Sequence, residues 1–242
     1  ITHLCPLKCL YCSNPVELAR RAEELSTGGW KSVISQAAEI GVKQVSFTGG
    51  EPCLRKDLPE LVRHAESAGL YVNLITSGVG VSEAALDELV EAGVQHVQLS
   101  FQDSDAPGAK ETCGVDALAK KKEFASVLAR KPVAFTANFV IQRSNHSRLQ
   151  QMIDLGVELG AGKIEVAHVQ FSGWALKNRA RLLPSAAMVQ ESMRLIASNK
   201  ERLKGRVRLD YVLPDYYADT PKACMGGWGA KMILINPRGQ AL

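Results

Sequence analysis

The sequence lacks any long apolar run. Nothing in its 242 residues approaches the roughly 18–20 consecutive apolar residues of a membrane span, and no signal-peptide pattern is visible. Aromatic residues are sparse, at 6%. Neither sign of charge dominates: 29 Lys and Arg against 25 Asp and Glu leave a net +4. That balance, with no basic stripe, argues against a nucleic-acid partner. Low-complexity tracts and a collagen-like period are missing, which excludes fibrous and disordered classes. Cysteine is scarce and uneven, and three of the six fall at Cys5, Cys9 and Cys12. A secreted disulfide scaffold would be shorter and more evenly cross-linked. The expected setting is therefore cytoplasmic, where a tight trio of thiols points to metal.

What is present is an ordinary globular composition, 46% hydrophobic and 22% charged. A chain this long buries roughly 70–75% of its unfolded surface and needs no staples. Its clearest rhythm is helix, glycine, strand. Gly41 precedes VKQVSF, Gly69 precedes LYVNLI, and Gly93 precedes VQHVQLSF. Glycine suits the left-handed residue that ends a helix, and each following run is short and β-rich. Asp57 with Pro59 and Glu60, and Ser82 with Glu83, read as helix starts. Strands are expected to begin near Ile1, Lys43, Leu70, Val94, Val133 and Lys163, with helices over about 116–130, 146–159 and 184–204. Repeated βα units predict a parallel sheet with right-handed crossovers, a partial six-stranded α/β barrel. After Pro184 the pattern changes. RVRLDYVL (206–213) and a Pro/Asp/Tyr-rich loop lead to CMGGWGAKMILINPRG, read as a short hairpin opening a separate module. The chain begins inside the first strand and stops just after Gly239, so both ends are expected to continue.

CPLKCLYC stands where the first strand should hand over to the first helix. Three thiolates on one loop suit a [4Fe–4S] cluster, leaving one iron free for an outside ligand. A zinc site, with His3 as fourth ligand, and unreactive thiols are the plainer readings. The second signal is TGGEP at Thr48 to Pro52, directly after a strand. In a parallel barrel the strand C-termini carry the site. Gly49 and Gly50 allow backbone carbonyls to approach a ligand, and Glu51 adds negative charge, a combination suited to an ammonium group. A tight turn closing the strand is the alternative.

Together these residues resemble the radical SAM superfamily. SNP after the third cysteine, QLSFQDSD, IEVAHVQFSGWALKNRA, LDYVLPDYYA and KACMGGWG extend the resemblance along nearly the whole chain. They point to its SPASM branch, and within it to the peptide cyclases of pyrroloquinoline quinone biosynthesis. The resemblance implies a [4Fe–4S] cluster that binds S-adenosylmethionine and cleaves it to a 5′-deoxyadenosyl radical. It also implies a carbon–carbon bond made between Glu and Tyr side chains of the precursor peptide PqqA. The implied partners are that peptide, the chaperone PqqD and an electron donor such as flavodoxin. Auxiliary iron–sulfur clusters are implied in a C-terminal module. The barrel with its last helix would occupy 1–205, and 206–242 would bridge to the start of that module.

By position, Cys5, Cys9 and Cys12 match the cluster ligands, and Tyr11 the aromatic residue against the adenine. Gly49, Gly50, Glu51 and Pro52 match the site for the methionine ammonium. Thr76, Ser77 and Gly78 stand at the family's TNG position, with Ser for Asn. Ser100 and Gln102 stand at its S-x-D position, with Gln for Asp, and Asp103 is the nearby carboxylate that would substitute. Asn138 is placed to reach the ribose or the carboxylate. Cys224 matches the first auxiliary-cluster cysteine, Gly239 fits the spacer after it, and the next cysteine would fall beyond Leu242.

The remaining residues read plainly. Cys53 is an apolar filler and Cys113 incidental, while His64, His96 and His146 are structural. His168 is open between site and structure, and Trp174 between cleft and core. Lys120, Lys121 and Lys122 form a solvated helix face. Two rivals remain: another SPASM maturase making a different cross-link, and a non-catalytic zinc-stabilised scaffold that binds a peptide.

Overall fold

The computed structural model describes residues 1–213, 216–217 and 231–242. Six parallel strands form one sheet in sequential order: β1 (Gln44–Phe47), β2 (Tyr71–Thr76), β3 (His96–Phe101), β4 (Ala134–Ile141), β5 (Lys163–His168) and β6 (Arg208–Val212). Sequential order with crossovers of one hand puts the helices on the same face. The main ones are α1 (Thr27–Glu39), α2 (Leu58–Ser67), α3 (Glu83–Glu91), α4 (Ala106–Cys113), α5 (Leu118–Leu128) and α6 (Leu149–Glu158). Short helices α7 (Gly173–Lys177) and α8 (Arg179–Leu182) follow, then α9 (Ala186–Arg202). Among the described residues no helix is long and apolar enough to cross a membrane.

The strand and helix positions follow the expected rhythm. Gly41, Gly69 and Gly93 have φ of 87°, 77° and 115°, the left-handed conformation that stops α1, α2 and α3. Ser82 caps α3 by accepting from the Ala85 amide, and Ser185 caps α9 by accepting from the Met188 amide. Such a cap is worth about 1 kcal/mol. Asp57 lies at the start of α2 as expected, with its carboxylate on Arg55 and Thr27.

Two expectations change. The strand expected near Ile1 is reduced to a parallel bridge between Thr2 and Gly49. The sixth strand of the sheet is instead Arg208–Val212, which pairs with β5 from Lys163↔Arg208 to Ala167↔Val212. The barrel therefore runs past the boundary expected at residue 205. The first half of the hairpin expected near the end, 224–230, lies outside the described residues, and the remainder holds one antiparallel bridge. Ile235 pairs with Ala241, and the Leu242 amide donates to the Leu234 carbonyl.

The core lies between sheet and helices. In β3 and β5 alternate residues are buried: Val97, Leu99 and Phe101, then Ile164, Val166 and His168. Ile164 faces α6, since a Cβ on Gly156 of that helix would lie 2.8 Å from its side chain. Each fully buried Leu, Ile or Phe contributes about 1.5–3 kcal/mol. The other sheet face is polar and cross-linked. Ser100, Asn138, Glu165 and Asp210 stand in register across β3 to β6. On it, Asn138 donates to Glu165 (2.9 Å), and Lys163 pairs with Glu165 (3.3 Å) and Asp210 (3.0 Å).

Candidate radical-chemistry site

The cysteine loop, the glycine turn and the ends of β2 and β3 meet at the C-terminal ends of the strands, and the cysteine loop is held from three sides. Below it, the Lys8 and Leu10 amides donate to the Cys113 and Thr112 carbonyls at the end of α4, both at 2.9 Å. Within it, the Cys12 amide donates to the Cys9 carbonyl at 3.1 Å. Beside it lies the segment that opens α7. The Ala175 amide donates to the Cys12 carbonyl (3.0 Å), Ser172 Oγ to the Ser13 carbonyl (3.2 Å), and Asn178 Nδ2 to the Leu10 carbonyl (3.0 Å). Gly173 has φ 51°, and a Cβ there would lie 1.8 Å from the Asn14 carbonyl oxygen. SNP and GWALKN, far apart in sequence, are thus the two halves of one clamp on the cysteine loop.

The glycine turn is the third side. Gly50 and Glu51 amides donate to the Thr2 and Leu4 carbonyls, both at 2.7 Å. A Cβ on Gly49 would lie 2.2 Å from the Thr2 oxygen, and one on Gly50 2.2 Å from the Leu4 oxygen. The close approach these glycines permit is therefore to the chain's own segment leading into Cys5. The Gly49 carbonyl accepts from Asn14 Nδ2 at 3.2 Å. No donor among the described residues reaches the Gly50 carbonyl.

Glu51 is fully buried and caps the 3₁₀ turn Pro52–Leu54. Its Oε1 accepts from Thr76 Oγ1 (2.7 Å) and the Cys53 amide (3.2 Å). Its Oε2 accepts from the Ser77 amide (2.8 Å) and Ser77 Oγ (2.6 Å). A carboxylate has about four acceptor positions, and all are filled. Glu51, expected to meet an ammonium, braces the β1 turn against the end of β2, while the Gly50 carbonyl keeps its acceptor positions. Thr76 and Ser77, expected at the cofactor, spend their hydroxyls on Glu51.

Tyr11 is joined to β3, since Gln102 Nε2 donates to its hydroxyl at 3.1 Å. Burial pushes the phenol pKa up. Asp103 does not take up the role considered for it. Its fully buried carboxylate is gripped by Arg148, at 2.7 Å from Nε and 2.5 Å from Nη2. Arg148→Met would leave the buried Asp103 charge with only the Ser104 amide, a loss of about 3 kcal/mol. The expected result is a clearly lowered urea midpoint with an unchanged slope. Asn138 points into the polar row on Glu165 rather than toward the cysteine loop. Ser100 stands in register beside Asn138, and its carbonyl accepts from Lys121 Nζ at 2.6 Å.

Two residues read plainly in the sequence are placed differently by the structure. Lys121 is 1% exposed instead of solvated. Cys113 is buried at the end of α4, with its carbonyl on the cysteine loop. The spacing of α5 could have shown the first: Leu118, Lys121, Ala125 and Leu128 share one helical face. The thiols of Cys5 and Cys9 have raised pKa values, burial being the main cause. His64, His96 and His146 are hydrogen-bonded within the fold, as expected. His168 joins Tyr211 at 2.7 Å, and burial pushes that phenol up to about 12. Cys224 lies outside the described residues.

The donor set suits a cluster better than a single ion. His3, the fourth ligand of the zinc reading, accepts the Ala19 amide on Nδ1 at 2.8 Å. Among the described residues no three Cys, His, Asp or Glu side chains converge to hold one metal ion. Three cysteines on one loop remain.

Fold and site together define an α/β partial barrel that presents a three-cysteine loop and a glycine turn at its strand C-termini. The chain belongs to the radical SAM superfamily, whose family model matches residues 1–155. It is 51% identical over its whole length to the PqqA peptide cyclase of Xanthomonas euvesicatoria pv. vesicatoria (strain 85-10), of which it covers 65%. It is likewise 51% identical to the PqqA peptide cyclase of Bradyrhizobium diazoefficiens, covering 64% of it. The chain thus spans somewhat less than two thirds of the length of these curated relatives. Among solved structures it resembles Streptococcus suis SuiB bound to precursor peptide SuiA, with a TM-score of 0.74 at 17% identity over 87% of this chain and 47% of that one. It also resembles anSMEcpe with bound AdoMet and Kp18Cys peptide, with a TM-score of 0.70 at 17% identity over 86% of this chain and 61% of that one. At such identities these two likenesses speak to the fold alone.

Proposed function

We propose that this chain is the catalytic barrel of a PqqA peptide cyclase. In this reading Cys5, Cys9 and Cys12 hold a [4Fe–4S] cluster, and S-adenosylmethionine binds beside it with its ammonium toward the Gly50 carbonyl. When bound, the cluster supplies the electron that cleaves the sulfonium and releases a 5′-deoxyadenosyl radical. The chain's own residues fix the geometry. The SNP–GWALKN clamp and the Gly50–Thr2 and Glu51–Leu4 bonds hold the loop, Glu51 stiffens the turn through Thr76 and Ser77, and Gln102 orients Tyr11. The substrate is the precursor peptide PqqA, and the product a carbon–carbon bond between its Glu and Tyr side chains, opening pyrroloquinoline quinone biosynthesis. PqqD presents the peptide, flavodoxin or a similar donor supplies electrons, and the reaction runs in the cytoplasm. The whole protein carries auxiliary iron–sulfur clusters in a SPASM module, with Cys224 among their ligands.

The observation that carries this reading is the clamp. The SNP and GWALKN stretches, both part of the resemblance to the peptide cyclases, contact each other beside the cysteine loop, at a glycine no other residue could replace. That accords with 51% identity to the cyclases over the whole chain. The test is anaerobic incubation of the full-length protein with S-adenosylmethionine, reductant, PqqA and PqqD, read by mass spectrometry. The expected product is PqqA lighter by two hydrogen atoms, with its fragments joined between Glu and Tyr. Unchanged PqqA beside a modified peptide of another kind would favour a different maturase.

A further inference from the structure

We propose that Lys121 is a counter-charge built beneath the cysteine loop, and that its ammonium raises the reduction potential of the cluster held there. The inference rests on the cluster assigned under the proposed function. Lys121 occupies the middle of the apolar face of α5, with Leu118, Phe124, Ala125 and Leu128 buried around it. An aliphatic side chain would suit that stripe. An ammonium there is costly unless an anion answers it. Yet Nζ spends one of its three donors, on the Ser100 carbonyl at 2.6 Å. No carboxylate among the described residues forms an ion pair with it.

The acidic side chains that bear on Lys121 are Cys9, Cys113, Glu51 and Cys5, acting against the burial that lowers its pKa. Glu51 keeps its charge, but its four acceptor positions are filled by neutral donors and none is left for Nζ, while the Cys113 thiol donates to the Val115 carbonyl at 3.2 Å. Cys5 and Cys9 remain, and they become charged when they bind iron as thiolates. A cluster on three thiolates carries net negative charge, and reduction by one electron deepens it. A fixed cation in a low-dielectric setting favours the more negative state. Lys121 is thus a positioning charge for the redox step. It also explains the brace around it: Ser100 holds the ammonium, while Gln102, two residues on, holds Tyr11 of the loop.

The test is an anaerobic redox titration of the full-length protein with dithionite, followed by electron paramagnetic resonance without S-adenosylmethionine. The signal titrated is the one lost when Cys5, Cys9 and Cys12 are all changed to Ala. If wild type has no such signal, the cluster assignment itself fails. With the signal present, Lys121→Met should disfavour reduction at least tenfold, about 59 mV more negative for one electron. Lys121→Arg, which keeps the charge, should stay near wild type. A folded Lys121→Met protein that loads no cluster, while Lys121→Arg loads normally, would also support the proposal. Loss of the cluster in both variants would overturn it, since the role would then be packing. A wild-type potential in Lys121→Met would overturn it too, including the case where only S-adenosylmethionine binding weakens.

Discussion

A full-length protein carrying Gly50→Ala is expected to lose at least tenfold of the iron held by Cys5, Cys9 and Cys12, read as the electron paramagnetic resonance signal that their joint replacement by Ala removes, with a normal far-ultraviolet circular dichroism spectrum. The reason is steric. The new Cβ would lie 2.2 Å from the Leu4 carbonyl oxygen and 2.7 Å from that of His3. Those are backbone atoms, so no rotamer change relieves the overlap. The segment must move outward, by ~1 Å or more to reach ordinary contact. Two hydrogen bonds go with it, Gly50 to Thr2 and Glu51 to Leu4. Cys5 is the next residue after Leu4, so the displacement falls on the first ligand. The sheet core lies on the helix side of the strands and is untouched. Gly41→Ala is the control. It also sits at positive φ, 87°, and nothing lies within 4 Å of its added Cβ. It should cost about 1–2 kcal/mol of backbone strain and keep its iron. Equal iron loss in both variants would show that stability, not loop placement, governs loading.

Much of this architecture is written locally. The βα rhythm is legible because glycine ends helices for a stereochemical reason that needs no tertiary context, as at Gly41, Gly69 and Gly93. The cysteine trio and the glycine turn are legible for the same kind of reason, since their chemistry lies in adjacent residues. What was hidden depends on pairing across the fold. Ile1 to His3 reads as a strand, yet forms only the Thr2–Gly49 bridge. β6 reads as part of a later module, because nothing in RVRLDYVL says that its partner is Lys163–Ala167.

Helix α4 escaped notice although Asp105, Pro107 and Gly114 mark its ends. Its interior reads as a polar loop, and Cys113 was set aside with it. Lys121 was hidden by its neighbours. Lys120 and Lys122 suggest a solvated run, while the helical phase of Leu118, Ala125 and Leu128 places Lys121 inside. Glu51 reads in the sequence as a charge set to meet an ammonium. Its saturation by Thr76, Ser77 and Cys53 comes from two separate strands and cannot be read from GGEP alone.

The second large effect concerns the thiols themselves. Replacing Cys5, Cys9 and Cys12 together by Ala removes the donors that the structure gathers on the loop, while their backbone contacts persist. Those contacts run through amides and carbonyls of residues 8, 9, 10 and 12, and Ala keeps them. The variant should therefore keep its thermal midpoint within a few degrees of the cluster-free wild type, the scale of about 1 kcal/mol. The most direct measurement is the yield of 5′-deoxyadenosine when the protein is reduced anaerobically with S-adenosylmethionine. The account predicts release by the wild type and none above background by the folded triple variant. Release by the triple variant at the wild-type rate would contradict it.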